Sequence, residues 1–535
     1  MTVGTVVIVG SGASGVALAL SLLERGRKVL MLDVGREVVR ADHPDLAFPA
    51  WRRSLADPAE TLLGRSGEAL VLPDHDGEYY GFPPAKKIIF EGLEGFDWVA
   101  DGFAPLLSFA RGGLAEAWTG GSYAFTPEEL EGFPFPADEM GEAYEAVASE
   151  IGISGAEDDL SEVFPHPAHP LPPVEADAHT TRLLARYDLA RETLRRKESC
   201  VLGRARLAVL TRDRGERKAC TRLGRCLWGC PRGALYTPSW GLARCQERDG
   251  FTYRPGIRVL RIEATDGGDV RRLHLRPVDG GADEVLEVET VVLAAGTLAT
   301  ADIVLRSLAG VGVDRLPGLM DNRQVLVPFV SPGRLGKGFE PESYQYHQLA
   351  MVIEPGGGAR QIHALITTLK TAMIHPVVQS LPIGLKGALR LFRDLHGALG
   401  LVNVNFADER RDESFVALED LGGTATLRVH YEPPPLERTR LPAGLRRVRR
   451  VLRRLGAFAP RSMAHVRPMG ASVHYAGTLP YSANGGDLTL DAAGRLRPFR
   501  NLYVADGSAL PSLPSKNLTY TLMANAWRVG RLLGD

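Results

Sequence analysis

The chain begins with apolar runs that follow one another at short distances. Val6–Val9 and Val29–Leu32 are fully apolar, and a stretch rich in alanine and leucine, Val16–Arg25, separates them. Continuous apolar runs of this length are typical of parallel strands that are covered on both faces. The order strand, helix, strand predicts a doubly wound α/β domain at the N-terminus.

A different pattern extends from about residue 311 to residue 465. Here apolar and polar residues alternate, which predicts an antiparallel sheet with one covered face. Two shorter strands are expected before this region, and a helix is expected over Leu518–Leu533. The five alternating segments are Val325–Val330, Gln348–Ile353, Gln361–Leu369, Val402–Phe406 and Ala425–Tyr431.

A glycine-rich turn joins the first strand to the first helix. Gly10, Gly12 and Gly15 form the pattern GxGxxG, and Asp33 follows the second strand. The glycines allow a tight turn and a close approach of phosphate to the backbone, while the helix N-terminus faces the phosphates. An acidic residue at this distance can accept a hydrogen bond from a ribose hydroxyl. The segment therefore predicts a dinucleotide site.

Two fragments near the C-terminus carry candidate catalytic groups. His474 stands three residues before Gly477-Thr478, and Asn517 lies eleven residues after Asp506 of the triplet Asp506-Gly507-Ser508. A histidine can take up a proton near neutral pH, and an amide can bond the same substrate oxygen. A lone histidine is more often structural, and Asn517 could be a turn or cap residue. Their joint spacing favours the functional interpretation.

These fragments, together with the glycine-rich turn, resemble the glucose–methanol–choline (GMC) family of FAD-dependent oxidoreductases. The resemblance covers most of the chain and implies a Rossmann-like α/β fold with a second α+β substrate domain. It implies that His474 and Asn517 lie over the flavin. It also implies further FAD contacts at Gly112, Gly113, Trp118, Val259, Gly296, Asp506, Gly507 and Thr519.

The GG loop of this chain differs from some sugar oxidases of that family. Those enzymes carry flavin covalently on a histidine immediately before the tryptophan, whereas this chain has Ala117 before Trp118. Alanine cannot form a histidyl link. We therefore expect FAD to be bound non-covalently.

Three of the five cysteines, Cys220, Cys226 and Cys230, lie within eleven residues. With glycines between them and Pro231 after the last, they resemble a ferredoxin-like loop. Their spacing is similar to that in FAD-dependent sugar dehydrogenases, which implies a [3Fe-4S] cluster and an electron-acceptor protein or small subunit. Zinc, which would need a fourth ligand, and free thiols are the alternatives.

Composition narrows the function classes. The 535 residues include 63 basic and 64 acidic residues, and this balance argues against a nucleic-acid surface. No uninterrupted apolar run reaches the length of about 20 residues that a membrane helix needs. Because Val6 already belongs to the first strand, we expect no signal peptide and a cytoplasmic location.

The predicted organisation is discontinuous. Residues 1–45, 201–310 and 466–535 form the FAD-binding domain, residues 46–200 form a loop-rich and helical insertion that includes the GG loop, and residues 311–465 form the substrate domain. Within the last, Ile383–Leu401 is amphipathic and could touch a membrane, although packing on the sheet is favoured. Leu436–Leu455 carries many arginines, for which a solvated helix face is favoured over docking of an anionic partner.

The predicted reaction is oxidation of an alcohol CH–OH group to a carbonyl, with hydride transfer to flavin and His474 as the base. A sugar, aminosugar, cyclitol or related natural product is the expected small-molecule substrate. Sterols or long-chain alcohols are the second choice, and oxygen or another acceptor could reoxidise the flavin. Two rival functions are an NAD(P)-dependent oxidoreductase and a non-catalytic flavin electron-transfer component.

Overall fold

The structure, a computed structural model, describes residues 4–38, 44–67, 69, 78, 82–165, 167–354, 360–369 and 382–533. In chain order, its α-helices are α1 Ala13–Glu24, α2 Phe48–Ser54, α3 Pro58–Leu63, α4 Ala137–Ile151, α5 Ala178–Glu198, α6 Pro238–Gln246, α7 Thr297–Leu308, α8 Leu385–Leu395, α9 Glu437–Arg454 and α10 Thr519–Leu532.

A five-stranded parallel sheet forms the centre of the first part. Its central strand pairs in parallel with both neighbours, so that Val7 lies opposite Leu30 on one side and Val291 on the other. The expected doubly wound α/β sheet is confirmed. In spatial order the strands are β18 Leu502–Val504, β9 Thr290–Leu293, β1 Thr5–Val9, β2 Lys28–Leu32 and β5 Phe251–Arg254.

Helices α1 and α10 pack against each other beside this sheet. Nearly every residue of α1 is buried, which explains why its sequence is apolar on all sides. Ser21 Oγ donates to the carbonyl of Trp527 at 2.9 Å. Gly530 permits this approach, because a Cβ there would lie 2.8 Å from Ser21 Oγ. The close contact fixes the C-terminal helix against α1.

A six-stranded antiparallel sheet dominates the second part. Val325, Val327, Val402 and Val404 point to one face and pack with the apolar sides of α5 and α9. Alternate residues of the same strands point to the other face, which lines the large cavity described below. In spatial order the strands are β17 His465–Val466, β11 Arg323–Val330, β14 Leu399–Phe406, β13 Ile362–Thr368, β12 Leu349–Ile353 and β4 Cys200–Arg204.

Two smaller sheets complete the fold. The first has the spatial order β10 Arg315–Pro317, β15 Phe415–Leu421, β16 Thr424–His430 and β3 Trp98–Asp101. The second is a meander of β6 Ile257–Ala264, β7 Val270–Pro277 and β8 Glu284–Glu287. The alternating region 311–465 therefore supplies two sheets, because β10, β15 and β16 pair with one another and with β3.

Two expectations need correction. Cys200–Arg204, at the start of the predicted FAD segment 201–310, pairs with Leu349–Ile353 of the substrate sheet. The amphipathic segment 383–401 is α-helical over Leu385–Leu395 and continues as a 3₁₀ turn over His396–Ala398, because the residues from Leu399 onward join β14. Among the described helices, none has both the length and the apolar character needed to cross a bilayer. The remaining domain boundaries stay a prediction.

Candidate active site

The glycine-rich turn leaves an open space in front of α1. A Cβ on Gly10, whose φ is +104°, would lie 2.5 Å from the carbonyl oxygen of Ala294, and a Cβ on Gly15 would clash with the carbonyl of Gly10. A Cβ on Gly12 would meet no atom within 4 Å. Gly10 and Gly15 are therefore needed for packing, whereas Gly12 faces the cavity.

The first turn of α1 and the end of β2 face this space. The N-cap residue of α1 is Gly12, which has no side chain that could accept a hydrogen bond from the first N–H groups of the helix. The Asp33 carboxylate accepts from Ser11 Oγ and, at 3.1 Å, from Tyr253 Oη. Burial raises the pKa of Asp33 to about 6. An uncapped helix N-terminus beside an acidic residue suits a pyrophosphate and a ribose hydroxyl.

The GG loop lies directly against the glycine-rich turn. The backbone N–H of Gly112 donates to Ser11 Oγ at 3.0 Å, and a Cβ on Gly113 would lie 3.4 Å from the Cα of Gly12. Trp118 Nε1 donates to the carbonyl of Tyr236 at 2.6 Å, which holds the indole at the cavity wall. The two loops thus form adjoining walls of one space.

Asp506 ties the C-terminal segment to the turn after β9. Its Oδ2 accepts from the Gly296 N–H at 2.9 Å and from Thr300 Oγ1 at 2.5 Å, and its Oδ1 accepts from the Ser508 N–H at 3.0 Å. Gly507 allows close contact, since a Cβ there would lie 2.5 Å from Thr297 Oγ1. The carboxylate is thus a structural link as well as part of the cavity lining.

The hydrogen bonds around His474 define which ring nitrogen carries the proton. Asn322 Nδ2 donates to the carbonyls of Phe406 and Pro514, each at 3.0 Å, which turns Asn322 Oδ1 toward the histidine. Oδ1 lies 2.8 Å from His474 Nδ1 and can only accept, so Nδ1 is protonated. The lone pair of the neutral ring is therefore on Nε2, on the side of Asn517.

Burial keeps this ring neutral. Desolvation, with a smaller contribution from the charge of Arg467, lowers the pKa of His474 to about 4. The backbone N–H of His474 donates to Asp321 Oδ1 at 3.1 Å, and Asp321 also accepts from the Gly470 N–H at 2.6 Å and from Ser472 Oγ. The carboxylate of Asp321 therefore holds the segment 470–474 in place.

Asn517 completes the pair. Its Nδ2 lies 3.4 Å from His474 Nε2, and its buried Oδ1 has no hydrogen-bond partner among the residues that the structure describes. The preceding residue, Lys516, is fully buried and donates to Glu129 Oε2 at 2.6 Å and to the carbonyl of Ala124 at 2.9 Å. This buried ion pair fixes the chain immediately before α10 and thereby the position of Asn517.

One cavity of about 650 Å³ is lined by both the glycine-rich turn and the pair His474 and Asn517. Of the catalytic and FAD-binding residues expected from the sequence, Gly15 and Gly112 are not among those that line it. The others line it, namely Gly10, Gly12, Asp33, Gly113, Trp118, Val259, Gly296, His474, Asp506, Gly507, Asn517 and Thr519. The structure therefore brings together residues from opposite ends of the chain.

The cavity-facing side of the substrate sheet carries polar side chains beside Leu326 and Leu401. Arg467 donates through Nε to Glu78 Oε1 at 2.7 Å and through Nη1 to Gln324 Oε1. Asn403 Oδ1 is a buried acceptor without a partner among the described residues. Thr367 Oγ1 lies 2.7 Å from His347 Nδ1. No local sequence pattern indicates this wall, because its members come from separate strands.

The cysteine loop lies beside the cavity. Leu227, next to Cys226, lines it, and Tyr346 Oη donates to the carbonyl of Cys226 at 3.2 Å. All three cysteines are free thiols, and burial raises the pKa of Cys220 and of Cys226. Within the described residues, no three His, Cys, Asp or Glu side chains are arranged to hold a metal ion. This arrangement does not support the expected iron–sulfur cluster.

Comparison with known proteins finds similarity to GMC oxidoreductases. Residues 411–526 match the family model for the C-terminal part of GMC oxidoreductases, described as "GMC oxidoreductase". The chain is 25% identical to 6'''-hydroxyparomomycin C oxidase of Streptomyces lividus and 24% identical to paromamine 6'-oxidase of Streptomyces fradiae. Each match covers 99% of this chain and 91% of the relative.

Residues 411–526 therefore correspond to the C-terminal part of a GMC oxidoreductase. The family model and the two oxidase relatives support an alcohol oxidoreductase, and the GMC family implies FAD as the cofactor. The crystal structure of pyridoxine 4-oxidase from Mesorbium loti has the same fold, with a TM-score of 0.61, 17% identity and 99% of both chains covered. The open space at Gly12, the uncapped α1 and the buried Asp33 carboxylate fit such a dinucleotide.

Proposed function

We propose that this protein is a GMC oxidoreductase that oxidises a CH–OH group of a polyhydroxylated natural product, a sugar, aminosugar or cyclitol, to a carbonyl with FAD as cofactor. The observation that carries the proposal is the unprotonated Nε2 of His474 in the same cavity as the glycine-rich turn. The two curated relatives are named as oxidases of paromamine and of a paromomycin derivative, which supports a substrate of this class.

His474 and Asn517 divide the work on the substrate oxygen. When bound, FAD supplies a hydride acceptor at its flavin ring. His474 Nε2 removes the hydroxyl proton, which is general-base catalysis worth about 100- to 10,000-fold. Asn517 Nδ2, 3.4 Å from that nitrogen, donates to the oxygen as negative charge develops on it. Burial keeps the His474 ring neutral, so the Nε2 lone pair is available to accept the proton.

Residues along the cavity would hold the cofactor. The N–H groups at the start of α1, beside Gly12, would bind the pyrophosphate, and Asp33 would accept from a ribose hydroxyl. Val259, buried at the start of the β6–β7 meander, would contact the adenine. Gly113 and Thr519 would flank the flavin. No histidine occupies position 117, so FAD would be bound non-covalently.

The polar wall of the substrate sheet would orient the rest of the substrate. Gln324, Asn403 and the His347–Thr367 pair offer both donors and acceptors, which is what a molecule with several hydroxyl groups requires. The unpartnered Oδ1 of Asn403 would accept from one such hydroxyl. Leu326 and Leu401 also line this side of the cavity, but the polar side chains between them interrupt the apolar surface that a sterol or long-chain alcohol would prefer.

A substrate screen tests the proposal. The holoenzyme is mixed anaerobically with single sugars, aminosugars and cyclitols, and with sterols and long-chain alcohols as the second class, while loss of flavin absorbance is followed. We expect bleaching by at least one polyhydroxylated compound. Bleaching by the apolar alcohols alone would overturn the substrate class, and a protein that binds no flavin would overturn the reaction.

The cysteine loop needs a separate test. The [3Fe-4S] cluster and the electron-acceptor protein remain predictions from the resemblance, and no step of the mechanism above depends on them. Iron and acid-labile sulfide are measured in protein purified anaerobically, with Cys226→Ser as the control. Iron that is present in the wild type and lost in the variant would support the cluster. A cytoplasmic location likewise remains a prediction.

A further inference from the structure

Helix α8 presents an unusual surface at one end of the substrate sheet. Only Ala388 and Phe392 are buried, and they pack on Leu369 and Leu399. Leu385 is 70% exposed and Leu389 45% exposed. Soluble helices normally bury their apolar stripe. Here the apolar side is wider than the part that the sheet covers.

Basic side chains border these exposed leucines. Lys386 and Arg390 lie on the same side of α8 as Leu385 and Leu389, where the five residues with Arg393 form a shallow groove. Within the described part of the chain, Lys386 and Arg390 form no ion pair, while Arg393 pairs with Asp394 at 3.3 Å. A helix with leucines beside lysine and arginine matches the composition of helices that lie in the headgroup region of a membrane.

The loop after β11 extends this surface. The carbonyl of Asp394 accepts from the Gly336 N–H at 3.0 Å, and the Phe339 ring lies 3.9 Å from the His396 ring. Leu335, Phe339 and Lys337 of this loop are exposed. The loop therefore adds apolar and basic side chains of the same kind beside α8.

The surface continues across the end of β11 to α5 and α9. The backbone of Val330 pairs with Phe458, whose side chain is 60% exposed. Arg182 lies over Gly333, and Arg186 lies next to Gly456, just beyond the C-terminus of α9. Neither arginine has an ion-pair partner among the residues that the structure describes. Glu340, just after this loop, accepts from the N–H of Ala178 at 2.9 Å.

We propose that this end of the substrate sheet, comprising α8, the loop 332–339, Phe458 and the neighbouring arginines, binds the surface of an anionic phospholipid membrane. Burial of exposed leucine and phenylalanine side chains between headgroups supplies the apolar contribution, and Lys386, Arg390 and the neighbouring arginines supply the attraction to anionic lipids. Both contributions point outward from the same few turns of chain. The proposal does not depend on the reaction proposed above.

The proposed membrane-binding surface lies next to one end of the substrate cavity. The N–H of Leu369 donates to the carbonyl of Leu399, and the N–H of Ser331 donates to the carbonyl of Ala398, so three strands of the sheet end together beneath α8. Thr368, Leu369 and Leu401, at this same end, line the cavity. Binding would therefore bring the substrate end of the cavity close to the membrane surface.

Vesicle sedimentation of the FAD-loaded, full-length protein tests the proposal. We expect binding to vesicles of mixed phosphatidylcholine and phosphatidylglycerol at low ionic strength, weaker binding as salt is added, and little binding to phosphatidylcholine alone. Leu385→Ser/Leu389→Ser and Lys386→Glu/Arg390→Glu should each reduce binding by about tenfold or more. Flavin content and Tm, measured for each variant, show that it is folded.

Control variants are placed on elements outside this surface. Val311→Ser removes an apolar side chain that is 73% exposed, and Arg500→Glu reverses a charge that is 65% exposed and pairs with Asp269 at 3.8 Å, so both should bind like the wild type. No binding of the wild type to anionic vesicles would overturn the proposal, as would binding that the α8 variants leave unchanged. A dimer that Leu385→Ser/Leu389→Ser dissociates would also overturn it, because the surface would then join two copies of the chain.

Discussion

The base proposed for the reaction is a buried histidine whose proton has a defined place. Asn322 cannot turn its amide around, because both of its N–H bonds are directed at backbone carbonyls. Its oxygen therefore accepts from His474 Nδ1, and Nε2 stays available to the substrate. Asn322 touches neither substrate nor cofactor in this account, so it acts as a positioning residue.

Asn322→Leu tests this role. Without the amide oxygen, part of the molecules would carry the proton on Nε2, and kcat/KM should fall about 10- to 100-fold while FAD stays bound. Asn525→Leu is the matched control, since Asn525 is also fully buried and accepts a hydrogen bond from Tyr481 at 2.8 Å, away from the cavity. Equal activity losses in the two variants would show that Asn322 has only a structural role.

The low pKa of His474 predicts the acid limit of the activity. Burial lowers this pKa from 6.5 to about 4, so the ring is neutral and able to accept a proton at any pH above that value. We expect kcat/KM to stay level as the pH falls through 6.5 and to decline only near pH 4. A decline centred at or above pH 6.5 would contradict the burial of the base.

His474 and Asn517 could be predicted from the sequence because their spacing to neighbouring motif residues is distinctive. The same is not true of Asn322, which contacts His474 across 152 positions of the chain, or of Lys516, whose partner Glu129 is 387 positions away. An asparagine at the start of a strand and a single lysine carry no local pattern. Such partners are set by how the two parts of the fold meet.

At the scale of elements, the glycines of the turn before α1 have different roles. Gly10 and Gly15 are needed for packing, whereas Gly12 faces the cavity. Gly12 has a φ of −64°, which alanine adopts easily, and a Cβ there meets no protein atom. Gly12→Ala should therefore leave the Tm of the apoprotein unchanged but weaken FAD binding at least about tenfold, or about 1.4 kcal/mol, by filling space that the pyrophosphate needs. Flavin titration and apoprotein melting measure the two effects.

Gly15→Ala is the informative comparison. Its Cβ would clash with the carbonyl of Gly10, so this variant should lose stability in the apoprotein as well as FAD affinity. If Gly12→Ala bound FAD as tightly as the wild type, the cavity at the N-terminus of α1 would not be the pyrophosphate site.

The buried Lys516–Glu129 pair anchors the segment before α10. Lys516→Met would leave the Glu129 carboxylate buried without its cation, and we expect a loss of about 3–5 kcal/mol in the free energy of unfolding. The double variant Lys516→Met/Glu129→Leu should recover much of it, since no unpaired charge remains. Denaturant unfolding of both variants provides the measurement. A loss as large in the double variant would show that packing, and not the charge, is responsible.

The alternating pattern predicts the positions of the substrate strands along the chain, but not which strands pair in the same sheet. Val325–Val330 and Ala425–Tyr431 correspond to strands Arg323–Val330 and Thr424–His430, which lie in different sheets. Periodicity identifies which side of a strand is buried, whereas pairing depends on partners such as Cys200–Arg204 and Trp98–Asp101 from far earlier in the chain. Those two short strands have no pattern of their own.

At the scale of the whole molecule, a single cavity joins the parallel sheet to the substrate sheet. Ala117 lines this cavity at the position where covalent flavoenzymes of the family have histidine. All flavin should therefore remain in the supernatant after acid precipitation of the holoenzyme. Yellow colour in the washed pellet would contradict non-covalent binding.

The most direct test of the account is anaerobic flavin reduction by a bleaching substrate in the wild type and in His474→Ala. FAD content is measured first, so that slow flavin reduction is not confused with loss of the cofactor. The substitution leaves the glycine-rich turn and Asp33 unchanged. We expect the variant to hold FAD fully and to be reduced about 100- to 10,000-fold more slowly, with partial recovery at high pH where the alcohol ionises. Reduction of His474→Ala at the wild-type rate would contradict the central claim that His474 removes the substrate proton.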